Sequence, residues 1–486
     1  MEATSCAALI ERLGQDGSDR PVYWHIPMEG EAQGYTWPEL ARWSGHLAVE
    51  LAERGLREGD RLAIGLRNSP AFAVSAFAAW RLGATPVPVR WDLPEWELQR
   101  VHEVIDAPVA LGPDDLAWID EVRRREGAPP APSGAVSPSL HGICSSGSTG
   151  TPKVILSKQP AMFSELLGTP MASRWAPVER PQTVMVLAPM YHVNGFVALY
   201  NMMAGDTIVV LEKFDAARVV DVIEEHRIST FTATPTMLKR IADVPGIDDR
   251  DLSSIVWFTQ GAAPMPPSLV HRWIELTRAE AIIMAYGMTE AIGITALRGD
   301  EWLDHQGSVG TGMNGTEIRI LDADGDEVKA GEVGDIFLRS PMYGGSTYIG
   351  GAALLKGTDD GFQTAGDMGW VDEDGYLYLS DRRVDLIISG GANVFPAEVE
   401  AALIDHPGVA DVVVIGLKDD EWGRRVHAII EPKDKAAPPT QADIVAYAKG
   451  RLAAYKVPKT VEIIDAIPRS AATKVSRGEL VAQRGG

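Results

Sequence analysis

An α/β chain of several domains is the fold that this sequence predicts, and three changes of texture along its 486 residues predict it. From about residue 60 to 270, short β-rich runs alternate with helical patterns, which is the signature of α/β units built around largely parallel sheets. Between about 305 and 380 the runs shorten and carry tight-turn pairs, which reads as a small β-subdomain. After 385 helices and strands mix again over roughly 100 residues, the size of a separate α+β domain. The expected division is a large N-terminal domain of α/β sheets over 1–384, including the β-subdomain, and a smaller α+β domain over 385–486.

In the first stretch, 61–66, 85–89, 183–189, 207–211 and 254–258 are apolar and β-branched and read as strands. The segments 70–82, 94–105 and 216–226 have helical periodicity. In the second stretch, 317–321 with Asp324-Gly325, and 369–371 with Asp374-Gly375 before 376–379, carry hairpin signals. The third stretch reads as a helix from Pro396, strands at 409–415 and 426–431, a polar linker at 432–441, a helix to 452 and a strand at 461–465.

Composition excludes several classes. There are 45 Lys and Arg against 67 Asp and Glu, a net charge of −22, and phosphate neutralisation along a nucleic acid needs a basic surface. Cys6 and Cys144 are the only cysteines, so neither a disulfide framework nor a cysteine-rich metal site is expected, and a reducing compartment fits. The N-terminal thirty residues show no basic start followed by an apolar core, and the apolar run 71–80 is half the length a bilayer requires. A soluble, cytoplasmic protein with no membrane span is the expectation.

Four segments carry chemistry. Residues 145–153 read SSGSTGTPK after an apolar strand at 140–144. Small hydroxyl and glycine residues let several N–H and O–H groups turn toward one polyphosphate. Pro152 and Val154 break the Gly-Lys-Ser/Thr ending of a Walker loop, so a P-loop NTPase is not supported. Residues 285–290 read AYGMTE, after an apolar strand at 281–284, and combine an aromatic ring for a base with a carboxylate for a hard cation. TAGD at 364–367, followed by DRRVDLIISGG at 381–391, offers a carboxylate for ribose hydroxyls and guanidinium groups for phosphate. IPRSAATKVSR at 467–477 places Lys474 in a short polar loop, where a plain surface lysine is the commoner case.

In this order and at these separations the four segments resemble the adenylate-forming (AMP-binding) superfamily of acyl-CoA and aryl-CoA synthetases, luciferases and peptide-synthetase adenylation domains. The resemblance runs from about Tyr35 to Arg477, and 361–400 is most similar to bacterial acid-CoA ligases. It implies that Ser145, Ser146, Gly147, Ser148, Thr149, Gly150 and Lys153 surround the β- and γ-phosphates of ATP. Thr289 then meets the α-phosphate, and Glu290, with Thr149, holds Mg²⁺. Gly261, Ala262 and Ala263 meet adenine with Tyr286 packing the base from the other side, and Ala285, Gly287 and Met288 count among the ATP/AMP-binding residues. Asp367 takes the ribose hydroxyls, Arg382 adds a ribose or phosphate contact, and Lys474 bridges carboxylate and α-phosphate oxygens. A lone histidine is usually structural, but His192, in PMYHVNGF, matches a position beside the acid pocket, together with Asn194, Gly195, Phe196 and Thr234.

The resemblance also implies two half-reactions, acyl-AMP formation and then thiol attack by coenzyme A, with a mobile C-terminal domain that rotates about a hinge. The hinge falls at Val384-Asp385 and a pantetheine tunnel at Ser389, Gly390 and Gly391. Two departures stand out: Val384 lacks the charge many relatives have at the hinge, and Thr473 replaces a frequent glycine before the lysine. Loading of a carrier-protein pantetheine is the alternative to free CoA, a homodimer is a family-level expectation, and a degenerate ATP-binding regulator is disfavoured because Glu290, Asp367, Arg382 and Lys474 are all present. The expected pocket lacks a cation for a second carboxylate or a base for an amino group, which favours an aromatic, medium-chain or bulky alicyclic acid. Division at the hinge leaves 386–486 with 13 basic and 13 acidic residues, so the first 385 residues carry the whole net charge. Within 449–486, 8 basic residues face 3 acidic ones around Lys474, a local charge that suits ATP and CoA phosphates.

Overall fold

The computed structural model describes residues 4–145, 153–342, 345–350, 355–382, 385–389, 392–419, 422–469 and 475–485. A nine-stranded sheet organises the N-terminal domain. Its middle is parallel: Ile282–Gly287, Trp257–Gln260, Thr230–Ala233, Thr183–Val186, Thr207–Leu211 and Tyr23–Ile26 lie side by side in that order. Ile294–Arg298 and Gln33–Tyr35 flank them antiparallel. From Thr183–Val186 the chain first crosses to Thr207–Leu211 on one side and then returns to Thr230–Ala233 on the other. That reversal is a topological switch point, and open α/β sheets place their ligand crevice at the carboxyl ends of the strands there.

The helices follow from capping and periodicity. Thr36 and Glu39 form a reciprocal capping box at the start of Trp37–Glu53, with Pro38 in its first turn. Ser69 caps Pro70–Arg81 by accepting from the Phe72 N–H at 3.3 Å. All twelve residues of that helix are buried, as expected for a helix apolar on every side. Its one charge, Arg81, is matched by Glu11 at 2.8 Å. The strand expected at 254–258 forms instead at Trp257–Gln260, because Leu252 and Ile255 are used in the preceding turn, where the Ile255 N–H meets the Leu252 carbonyl. Phe231 and Phe258 stack at 5.1 Å beneath Trp273, and losing one such buried ring costs about 3–5 kcal/mol.

The β-subdomain is an antiparallel sheet of Glu317–Leu321, Gly334–Arg339, Gln363–Thr364, Asp367–Val371 and Leu377–Arg382, edged by Lys356–Gly357. Asp372 makes its last turn by accepting from the N–H groups of Asp374 and Tyr376, with Gly375 at φ +83°. In the C-terminal domain, Val409–Asp419 and Gly423–Pro432 form a long hairpin, longer at its tip than the expected 409–415 and 426–431. Lys418, Arg424 and Arg425 sit in this extension, and their charge makes paired strand read as loop. Thr460–Ile463 joins it in parallel, and Ser268 of the N-terminal domain donates to Asp405 at 2.6 Å. Among the described residues no helix is long and apolar enough to cross a membrane.

Candidate active site

At the carboxyl ends of the parallel strands, separate segments meet. Gln260 ends its strand nearly buried and donates from Nε2 to the Ala263 carbonyl at 2.5 Å. This clamps a turn in which Ala262 adopts φ +72°, a left-handed conformation costing a non-glycine residue about 1 kcal/mol. Ala262 and Ala263 are exposed at the surface of this turn. Gln260 pairs with Met284, so Gly261 comes beside Ala285, and a β-carbon on Gly261 would sit 3.4 Å from the Ala285 carbonyl oxygen.

The sequence places AYGMTE beyond its strand, but Ala285, Tyr286 and Gly287 are the strand's last three residues. The antiparallel neighbour Ile294–Arg298 continues the ladder after the parallel one stops, with Tyr286 opposite Thr295 and Gly287 opposite Ile294. Met288, Thr289 and Glu290 then turn the chain, closed by the Ala291 N–H donating to the Met288 carbonyl. Tyr286 donates through its hydroxyl to Asp367 at 2.8 Å. Asp367 in turn stands opposite Arg382 on the paired strand, so these two expected ribose contacts share one rung. Glu290 accepts from the Tyr348 hydroxyl at 2.6 Å, and burial together with that carboxylate raises the phenol's pKa.

Tyr348 also links Glu290 to the strands that flank the Ser/Thr/Gly segment. Its strand, Ser346–Ile349, pairs with Lys153–Ser157, which pairs with Gly142–Ser145. Ser145 and Lys153 are opposite each other, so the loop starts and ends on one rung of the sheet that carries the Glu290 partner. Ser146, Gly147, Ser148, Thr149 and Gly150 lie outside the described residues, as do the side chains of Ser145 and Arg382. Just before the loop's first strand, His141 Nδ1 shares a 2.7 Å hydrogen bond with the Tyr200 hydroxyl, and burial lowers the imidazole's pKa to about 4. Burial also pushes the Cys144 thiol up to about 12, far from a reactive thiolate.

His192 sits half-buried at the tip of a tight turn, its ring 4.6 Å from that of Tyr191. The turn needs Gly195, where a β-carbon would lie 2.4 Å from the Pro189 carbonyl oxygen. Asn194 is exposed. Phe196 departs from the pocket expectation: it is fully buried among Phe72, Trp80, His141 and Tyr200, because a large ring beside other aromatics is worth most inside the core. The Thr234 hydroxyl caps the helix Pro235–Ala242 by accepting from the Met237 N–H.

Lys474, Val384, Gly390 and Gly391 lie outside the described residues. Next to them, Val475 packs on the C-terminal sheet, Ser476 caps the last helix Arg477–Gln483, and Ser389 is buried at the end of Ile387–Ser389. Asp385 pairs with Arg477 at 3.4 Å, and Arg477 holds both oxygens of Glu400 at 2.8 and 2.9 Å. An ionic tie therefore exists at Asp385, the second residue of the expected hinge. Arg477 closes the quoted lysine motif, but its acidic partners are 92 and 77 residues away, so spacing gives no sign of the tie.

The fold is that of adenylate-forming enzymes, with a large N-terminal and a small C-terminal domain. An o-succinylbenzoate CoA synthetase from Bacillus subtilis, in complex with its acyl-adenylate intermediate, superposes with a TM-score of 0.84 at 26% identity, over 99% of this chain and 98% of that one. Residues 10–348 match the AMP-binding enzyme family and 398–474 the AMP-binding enzyme C-terminal domain, so the chain belongs to the AMP-binding enzyme family. A feruloyl-CoA synthase from an Amycolatopsis species is 32% identical, over 92% of this chain and 93% of the relative. A long-chain-fatty-acid–CoA ligase from Mycobacterium tuberculosis is 31% identical, over 90% and 91%.

Proposed function

We infer that the chain is an ATP-dependent, AMP-forming carboxylic acid–CoA ligase. The carboxylate oxygen attacks the α-phosphorus of ATP, the bond to the bridging oxygen breaks, and pyrophosphate leaves. The thiol sulfur of CoA then attacks the acyl-AMP carbonyl, its proton is lost, and AMP leaves with the bonding electron pair. The observation that carries this reading is the convergence of Tyr286–Asp367 and Glu290–Tyr348 with the strands that bound the Ser/Thr/Gly loop.

On this reading Asp367 receives the ribose hydroxyls with Tyr286 holding its second oxygen, and the 261–263 and 285–288 segments enclose adenine. The Ser145 to Lys153 loop receives the outer phosphates, while Thr289 and Lys474 meet the α-phosphate and the incoming carboxylate. Bringing two anions together requires cations that are positioned before reaction, which is the role of Lys474. The donor set fits Mg²⁺: Glu290 is a single half-buried carboxylate next to the loop strands, and Mg²⁺ takes one or two carboxylates plus substrate phosphates. Bound there, Mg²⁺ neutralises charge on the transferring phosphates.

For the second step, rotation about Val384-Asp385 withdraws Lys474 and brings Ser389, Gly390 and Gly391 to the acyl carbonyl. His192 borders the acid, which is aromatic, medium-chain or bulky alicyclic. The two unpaired cysteines support a reducing, cytoplasmic setting. The test is a CoA-consumption and AMP-release screen with ATP, Mg²⁺ and ferulate, benzoate, octanoate or cyclohexanecarboxylate. Acid-dependent loss of free thiol is the expected result. Pyrophosphate exchange without CoA acylation, together with acylation of a pantetheinylated carrier, refutes the free-CoA step.

A further inference from the structure

We propose that Asn68 is a positioning residue for the acid site, acting through the turn that carries His192; this rests on the ligase reading above. Asn68 lies between the strand Arg61–Ile64 and the Ser69-capped helix, and it is 6% exposed. Its Nδ2 donates to the carbonyls of Ala188 and Leu211, both at 3.1 Å, and its Oδ1 accepts from the Met190 N–H at 2.7 Å. Both amide hydrogens and the carbonyl are thus committed to backbone more than 100 residues away, at the ends of two adjacent strands of the main sheet.

Asparagine suits this place because it combines two donors and an acceptor on one short stem. Serine supplies only one donor, and aspartate presents an anion to two carbonyl oxygens. Two of these bonds pin one leg of the turn 188–192, where Pro189 has no N–H of its own, and the third ties that leg to the end of the neighbouring strand at Leu211. The other leg is pinned by Phe196 in the core and by Gly195 against the Pro189 carbonyl. Between the legs, the His192 N–H donates to Pro189 at 3.0 Å, and the Gly195 and Phe196 N–H groups donate to the His192 carbonyl. The backbone that carries His192 is therefore held from both sides, and on the first leg the buried Asn68 side chain supplies two of the bonds that hold it.

Full-length Asn68→Asp and Asn68→Ser are compared with wild type in pyrophosphate exchange, using ferulate, benzoate or octanoate as the acid. Asn68→Asp is expected to raise the acid KM about 10-fold, with the ATP KM within about twofold. Asn68→Ser, which keeps one hydroxyl, shows a smaller change of the same sign. The His192 ring signal in ¹H–¹³C spectra, assigned by its loss in His192→Asn, shifts in both variants. In the double variant with His192→Asn, replacing Asn68 adds nothing further to the acid KM. An unmoved ring signal, or an equal rise in both KM values, overturns the proposal. If no acid reacts with wild type, the ligase reading fails, and the ring signal still decides the role of Asn68. If Asn68→Asp does not fold, Asn68→Ser carries every readout.

Discussion

The two domains hold their candidate site residues in opposite ways. In the N-terminal domain the site is cross-braced by buried or half-buried bonds between distant segments: Tyr286 to Asp367, Glu290 to Tyr348, and Asn68 to Ala188, Met190 and Leu211. In the C-terminal domain the surroundings of Lys474 are tied to their own domain, through Val475 on its sheet and through Arg477 to Asp385 and Glu400. The charge divides along the same line, with the net −22 in 1–385 and neutrality beyond. A nucleotide-holding surface gains from rigidity, because charge stabilisation costs least when no group must reorganise. On the proposed two-step reaction, the C-terminal domain that delivers different groups to one carbonyl must instead move as a body.

The largest test of this contrast is Lys474→Ala. It is expected to slow pyrophosphate exchange about 10³-fold, roughly 4 kcal/mol, while acyl transfer from preformed acyl-AMP to CoA changes little. Equal loss in both half-reactions would place the lysine in the rigid half of the comparison.

The next largest concerns His141, buried beneath the loop strands. Its lowered pKa means that the unfolded chain binds more protons between the ordinary value of 6.5 and about 4. The native state is therefore fully favoured above pH 6.5 and loses stability as pH falls toward 4, by about 3 kcal/mol. Denaturant midpoints measured across that range should show this slope in wild type and lack it in His141→Asn.

Smaller effects separate the remaining ties. Asp367→Asn is expected to lower kcat/KM for ATP about 30-fold, near 2 kcal/mol, with Tyr286→Phe weaker but of the same kind. Substrate-saturation curves for ATP and acid, run separately, confine the loss to the nucleotide side. Arg477→Ala removes a partly exposed ion pair, so it costs under about 1 kcal/mol of stability. Its expected signature is a few-fold change in the ratio of the two half-reaction rates, measured with acyl-AMP supplied or formed in place.

Much of the architecture could be read from local pattern. Pro70–Arg81 and Ala216–His226 appear almost at their expected limits because capping residues mark them: Ser69 and Asp215 accept from the N–H groups of Phe72 and Arg218. Where neighbours decide, local pattern fails. Ala285 to Gly287 remain strand because Ile294–Arg298 pairs with them, and Lys418, Arg424 and Arg425 lie in a ladder despite their charge. Candidate site residues such as Tyr286, Glu290 and Asp367 stood out in dense motifs. Their partners did not: Tyr348 lies 58 residues from Glu290, and Asn68 about 120 from the turn it holds. A single hydrogen bond between such positions leaves no periodicity.

The turn clamped by Gln260 has a consequence for engineering. If Gly261, Ala262 and Ala263 meet the base as proposed, the functional groups they offer it are peptide N–H and C=O, since the side chains are a hydrogen and two methyls. Exchanging those methyls alters little that a purine can sense, so base preference resists retuning at 262 and 263 themselves. The accessible handle is position 260, whose amide sets the path of the backbone it grips. An enzyme redesigned for another nucleoside triphosphate is better sought by varying residue 260 than the three residues proposed to face the base.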